Sequence, residues 1–194
     1  QRARAHALAA LERAGVTPVD FAGDATALQQ KLAKLDARAV PALFWAASAW
    51  GKWIELQLDD PARLDELPRV EMMMQRVLAL DETYYFGGAH VFFGVYYGGR
   101  APMFGGDFAR AEDLFANALK GLYRTDPDLM LGLAKAQYGQ GKARETRETL
   151  DTLIAANPGF RSTDGHLLYA RAVEDLGDPA AALLEILDPE QNSR

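Results

Sequence analysis

The sequence has no cysteine. Thiol nucleophiles, thiolate-bound zinc and disulfides are therefore all excluded, while cytosol and periplasm both stay open as addresses. Alternating β-branched runs closed by an Asn-Gly or Asp-Gly turn are also missing, which removes the usual signal of a hairpin sheet. No apolar run approaches the roughly 20 residues that a membrane-spanning helix needs. Cationic side chains are not in excess either: 21 Lys and Arg stand against 27 Asp and Glu, for a net charge of −6. Without a basic stripe to displace phosphate counterions, nucleic acid is a poor partner. What is left is an ordinary globular composition, 49% apolar and 25% charged, over 194 residues. That length suits one domain or a run of small repeats. The chain opens on Gln1-Arg2-Ala3-Arg4, without an initiator Met or an apolar signal core, as a mature or trimmed chain would.

Helix signals run throughout. Ala3 to Ala14 reads as a helix ended by Gly15, with Pro18 beyond it as a stop. Asp24 is a natural N-cap for a helix over Ala25 to Ala37, whose Leu28, Leu32 and Leu35 share one face. Pro41 suits the first turn of a helix over Ala42 to Leu58, where its missing amide hydrogen costs nothing. A further helix covers Leu64 to Leu80, kinked or broken near Pro68. Helix pairs follow over Ala89 to Gly98 with Asp107 to Tyr123, Asp128 to Gly139 with Lys142 to Ala156, and Asp164 to Leu176 with Pro179 to Leu187. Short loops force such helices to pack antiparallel.

A period underlies these pairs. Tetratricopeptide hairpins place a small residue where two helices approach, then a large apolar residue four later to fill the groove. Ala111, Phe115 and Ala118 fit that pattern. Thr146, Leu150 and Leu153 fit it degenerately, as do Val70, Met74 and Val77, and Leu28, Leu32 and Leu35, while Ala182 and Ile186 begin a last copy. The large positions Leu32, Met74, Phe115, Leu150 and Ile186 recur every 35 to 42 residues, against a hairpin period of about 34 plus loop insertions. The spacing predicts an all-α superhelix of degenerate TPR-like hairpins, one domain over 1–194. An N-terminal helical segment covers 1–38, and repeats follow at roughly 39–83, 84–127, 128–160 and 161–190.

The stretch Tyr84 to Phe108, YYFGGAHVFFGVYYGGRAPMFGGDF, holds nine of the nineteen aromatics and seven of the seventeen glycines. Glycine in this density suggests a phosphate cradle, yet a P-loop needs a strand and then Gly-Lys-Ser/Thr opening a helix, and neither occurs. Gly105-Gly106-Asp107-Phe108 echoes the signature of nucleotide cyclases, but that signature sits between strands; here Asp107 reads as a helix cap. Exposed amides beside Arg100 leave room for a small anion. His6, His90 and His166 have no ligand spacing, so no metal site is expected, and His90 reads as a partly buried ring hydrogen-bonded to backbone. No nucleophile, base and oxyanion hole assemble, so neither catalysis nor a cofactor is expected. The aromatics themselves read two ways. Trp45, Trp50 and Trp53 on one helix, and Phe92, Phe93, Tyr96 and Tyr97 on another, are core, or they line a groove or an oligomer interface.

Three segments carry a family resemblance: Ala42-Leu43-Phe44-Trp45-Ala46-Ala47-Ser48-Ala49-Trp50-Gly51, then Gly87-Gly88-Ala89-His90-Val91-Phe92-Phe93-Gly94, then Phe104-Gly105-Gly106-Asp107 followed by Ala111 and Phe115. Together they resemble the TatT (T-component) proteins associated with tripartite ATP-independent periplasmic (TRAP) transporters. The resemblance runs from about Ala39 to the C-terminal end. It implies a non-enzymatic periplasmic accessory protein of degenerate tetratricopeptide repeats, forming a homotrimer with apolar pores or clefts. It also implies docking to the transporter's solute-binding P component and passage of a small apolar or carboxylate ligand through an aromatic cleft. Membrane contact would come only through an N-terminal lipid anchor, whose cysteine this chain lacks. The residues expected to bind partner or ligand are Trp45, Trp50, Tyr84, Tyr85 and His90, with Phe93, Tyr96, Tyr97, Arg100 and Phe104. The alternative is a general TPR-like scaffold for envelope assembly that takes no ligand.

Overall fold

The computed structural model describes residues 2–57, 60–120 and 124–179. Among these residues the fold is all-α, with no strand. The chain divides between Phe92 and Phe93 into two compact units.

The first unit contains α1 (Arg2–Arg13), α2 (Pro18–Ala22), α3 (Ala25–Ala33), α4 (Val40–Glu55), α5 (Pro61–Leu64), α6 (Leu67–Leu80) and the start of α7 (Tyr84–Gly98). Its centre is the packing of α4 on α6, with α1 laid on α4 and α3 on α6. Val70, Met73, Met74 and Val77 of α6 are completely buried. Their spacing of three and four residues makes one stripe, and each such side chain contributes about 1.5–3 kcal/mol by leaving water. Two arginines of α6 tie down the segments before α4: Arg69 Nε donates to the Phe21 carbonyl, and Arg76 Nη2 donates to the Leu35 carbonyl.

The second unit contains the rest of α7, then α8 (Phe108–Ala118), α9 (Pro127–Gly139), α10 (Ala143–Ala156) and α11 (Thr163–Asp175). Here α9 packs between α8 and α10, and α10 meets α11. Glu112 of α8 joins the turn after α9, accepting from Gln140 Nε2 at 2.7 Å and Lys142 Nζ at 2.5 Å. Asn157 Nδ2, just past α10, reaches the Thr125 carbonyl before α9 at 2.9 Å. Phe115 fills the space between helices because its neighbours there have no side chain. A β-carbon on Gly132 would stand 2.6 Å from its Cζ, and one on Gly94 would stand 2.9 Å from the same atom.

Each triad read from the sequence is buried as far as the description extends. Leu28, Leu32 and Leu35, then Val70, Met74 and Val77, then Ala111, Phe115 and Ala118, then Thr146, Leu150 and Leu153 are all 8% exposed or less. The expected last copy at Ala182 and Ile186, the helix Pro179 to Leu187, and the end of the helix drawn to Tyr123 lie outside the described residues.

Local chemistry sets the helix boundaries, including one that departs from expectation. Pro18 lies beyond α1 as expected and also opens a short helix, α2, because Asp20 Oδ2 accepts from the Thr17 amide at 2.7 Å and from its hydroxyl at 2.9 Å. The helix from Ala25 ends at Ala33 rather than Ala37, since Asp36 accepts from Arg38 N at 3.0 Å and starts a separate 3₁₀ turn over Ala37–Ala39. The break expected near Pro68 falls just ahead of it: α5 ends at Leu64 and α6 begins at Leu67, with Pro68 in its first turn, where no amide hydrogen is needed. Asp24 and Asp107 cap as expected, accepting from Ala27 N and Arg110 N at 2.9 Å each.

Candidate functional site

Two groups of aromatic residues stand out, one in each unit. In the first, α4 presents Phe44 and Trp45 in succession. Because adjacent helical residues point about 100° apart, Phe44 turns inward at 5% exposure while Trp45 turns out at 46%. Phe44 forms the base of a ring cluster: its centroid lies 5.2 Å from that of Trp45, 5.4 Å from Tyr84 and 5.3 Å from Tyr85. Trp45 and Tyr85 meet edge to face at 5.0 Å with planes at 70°, and Tyr85 touches Phe86 at 5.6 Å. Tyr85 and Phe86 are 52% and 49% exposed.

The backbone under these last two rings is unusual. Tyr85, Phe86 and Gly87 have φ of 46°, 64° and 76°, one left-handed turn inside the span of α7. Glycine accepts this freely, but each aromatic residue pays about 1–2 kcal/mol for it. Gly88, the next residue, lets the turn close on Phe44: a β-carbon there would stand 2.6 Å from Phe44 Cε2. The sequence marked Gly87-Gly88 as a break before a helix from Ala89. The strain on Tyr85 and Phe86 left no mark in residue type.

His90 sits beside this turn with its side chain 12% exposed. Its hydrogen bond runs to a carboxylate, Nε2 lying 3.3 Å from Glu82 Oε2, rather than to backbone as expected. That pairing favours hydrogen on Nε2 and leaves Nδ1, which is buried, without a partner. Trp50 belongs to the core: it is 3% exposed, packs edge-on against Phe21 at 5.4 Å, and donates from Nε1 to Glu66 Oε2 at 2.6 Å. Glu66 in turn holds Arg63 at 2.7 Å, and the Arg63 guanidinium lies 4.8 Å over the Trp53 ring.

The second group is built on the end of α7. Phe93, 1% exposed, stacks on Tyr97 at 6.0 Å with planes at 21°, and Tyr96 meets Tyr97 edge to face at 5.0 Å. Two guanidiniums cover these tyrosines: Arg100 lies 3.8 Å over the Tyr96 ring and Arg110 4.1 Å over the Tyr97 ring. The loop between them is anchored by Asp107 N donating to the Tyr97 carbonyl at 3.0 Å. Sequence reasoning singled out Arg100 but not Arg110, which sits on α8 and joins the group only through the fold. Phe104 falls in a short 3₁₀ turn, and its side chain lies outside what is described.

The first group offers half-exposed rings, the second two stacked guanidiniums. No helix among the described residues is long and apolar enough to cross a membrane. No curated protein matches the chain. The family model of the TRAP transporter T-component (TAtT) matches residues 1–171. The chain therefore belongs to the TRAP transporter T-component family, as an accessory component of such a transporter.

Proposed function

We propose that this chain is a non-enzymatic periplasmic component that docks the transporter's solute-binding component through Trp45, Tyr85 and Phe86, beside the less exposed Tyr84 and His90. The observation carrying the reading is that three large rings stand about half exposed together, two of them on a left-handed turn that costs energy to hold. Contacts within the chain leave about half of each ring open; recognition would bury the rest, since buried aromatic anchors supply most of the energy of many interfaces. Three half-exposed rings offer roughly 300 Å² of apolar surface. A stable protein interface needs about 800 Å² per partner. The patch is therefore the anchor of a transient complex, not the self-interface of a trimer.

In this reading the hairpins stack as TPR-like repeats, which the burial of every described triad supports. A homotrimer forms through other surfaces, and a small apolar or carboxylate ligand passes along the aromatic rings. Trp50 and Phe93, being buried, serve as packing residues, each within its own unit. The test is calorimetric titration of the solute-binding component of the same transporter into wild type and Trp45→Ala/Tyr85→Ala. The variant should lose about tenfold or more in affinity with helicity unchanged. Equal binding by both would remove these rings from the interface. Silence toward a panel of apolar and carboxylate ligands would favour an assembly scaffold.

A further inference from the structure

Arg100 and Arg110 are the two cations placed on the tyrosine pair of α7, and neither side chain makes an ion pair or hydrogen bond among the described residues. This is notable in a chain carrying 27 acidic residues. Stacking a guanidinium on a ring uses its face only. The five N–H donors lie in its plane, so a stacked arginine keeps every donor while its long side chain is already ordered. That combination is what bidentate binding of a carboxylate requires.

The fold sets both arginines on adjoining rings. Tyr96 and Tyr97 are in edge-to-face contact at 5.0 Å, and each carries one guanidinium. The loop that brings Arg110 back to Arg100 is closed tightly: Asp107 N donates to the Tyr97 carbonyl at 3.0 Å. A β-carbon on Gly106 would stand 1.9 Å from the Arg100 carbonyl oxygen, so this loop path is open only to glycine there. Arg110 also lies in the first turn of α8, where its own amide donates to the capping Asp107 Oδ1 at 2.9 Å.

We propose that Arg100 and Arg110 form a two-pronged clamp for aspartate and glutamate side chains on the surface of a protein partner. A protein surface is favoured over a free organic acid because Arg110 is exposed and Arg100 partly so. Small ligands are held with 70–90% of their surface buried, whereas exposed charges at an interface rim set encounter rate and register. On a chain of net charge −6 the clamp is a local cationic spot, so it also selects the orientation in which an acidic patch approaches.

The inference rests on the docking reading given above, and the experiment separates the two. The purified solute-binding component of the same transporter is titrated against wild type, Arg100→Gln/Arg110→Gln and Arg100→Lys/Arg110→Lys, at about 50 and about 300 mM salt. Circular dichroism confirms that each variant is folded. The glutamine pair should bind about tenfold more weakly at low salt and lose most of the salt dependence. The lysine pair, which keeps charge but not the planar fork, should recover only part of the affinity. Glutamine variants that bind as wild type does, with the same salt dependence, would overturn the clamp and leave the docking reading standing. If free glutarate binds the wild type and is lost in the glutamine pair, the site takes small organic acids and the protein-surface assignment falls. If wild type does not bind the solute-binding component at all, the docking reading fails and the clamp fails with it.

Discussion

Phe115 occupies the space where a side chain on Gly132 would begin: a β-carbon there would lie 2.6 Å from Cζ and 2.7 Å from Cε1. The ring has no slack, because Gly94 holds its other side at 2.9–3.0 Å by the same measure. Gly132→Ala should therefore overpack α8 against α9 and cost about 1–3 kcal/mol. Thermal melting followed by circular dichroism reads it as a fall of several degrees. Pairing the change with Phe115→Leu should restore part of the loss, because the smaller side chain yields. A melting temperature for Gly132→Ala within a degree of wild type would show that the two helices do not close on Phe115 in this way.

Phe86 tests whether the left-handed turn is kept for recognition. Its φ of 64° is one that glycine adopts without strain, and its ring is 49% exposed. Phe86→Gly should relieve about 1 kcal/mol of backbone strain, offset in part by the greater freedom of glycine in the unfolded chain. The melting temperature should stay level or rise slightly while affinity for the solute-binding component drops. A protein that melts well below wild type would mean that the ring is structural and that the turn needs no functional explanation.

Trp50 makes the opposite test. Its indole donates at 2.6 Å to Glu66, a partly buried carboxylate, and such charge-assisted bonds contribute about 1.5–3 kcal/mol. Trp50→Phe should lower the melting temperature by roughly 2–4 °C per kcal/mol in a chain of this size. Docking should be unchanged, since the ring is 3% exposed. A selective loss of partner affinity at full stability would place Trp50 in the recognition surface after all.

How much of this was legible follows from what each feature depends on. The all-α class and the buried triads depend on periodicity within a helix, which a sequence displays directly. Asp24 and Asp107 are caps whose partner lies three residues away, so they too were readable. Among the aromatics, sequence placed Trp45, Trp50 and Trp53 on one helix without saying which way each faced. Trp50 turned in because Glu66, sixteen residues on, supplies its partner, and Trp45 turned out. Contacts of that range leave no local signal. Arg110 illustrates the same limit, joining Tyr97 only after the loop folds back, and so does the left-handed backbone of Tyr85 and Phe86, positions where glycine would be the expected residue.

Asp20 makes the acid dependence of the first unit predictable. Its carboxylate accepts from Lys31 Nζ at 2.6 Å, the Thr17 amide at 2.7 Å and the Thr17 hydroxyl at 2.9 Å. The Lys31 contact first, then the Thr17 amide, holds its pKa down at about 2, against an ordinary 3.8. A carboxyl with a lowered folded-state pKa binds protons less readily when folded than when unfolded, so acid favours the unfolded chain. Its contribution is complete above the unfolded value, declines between the two values and is absent once pH falls below about 2. Asp20→Asn, which removes the charge at every pH, should thus melt below wild type at neutral pH and by the same margin near pH 5. The gap should narrow between pH 4 and pH 2 and then close. Melting both proteins across that series measures the difference directly, and acid effects elsewhere in the chain cancel between them. A gap that persists undiminished at the acid end would show that the asparagine damages the start of α2 by its shape, not by the loss of charge beside Lys31.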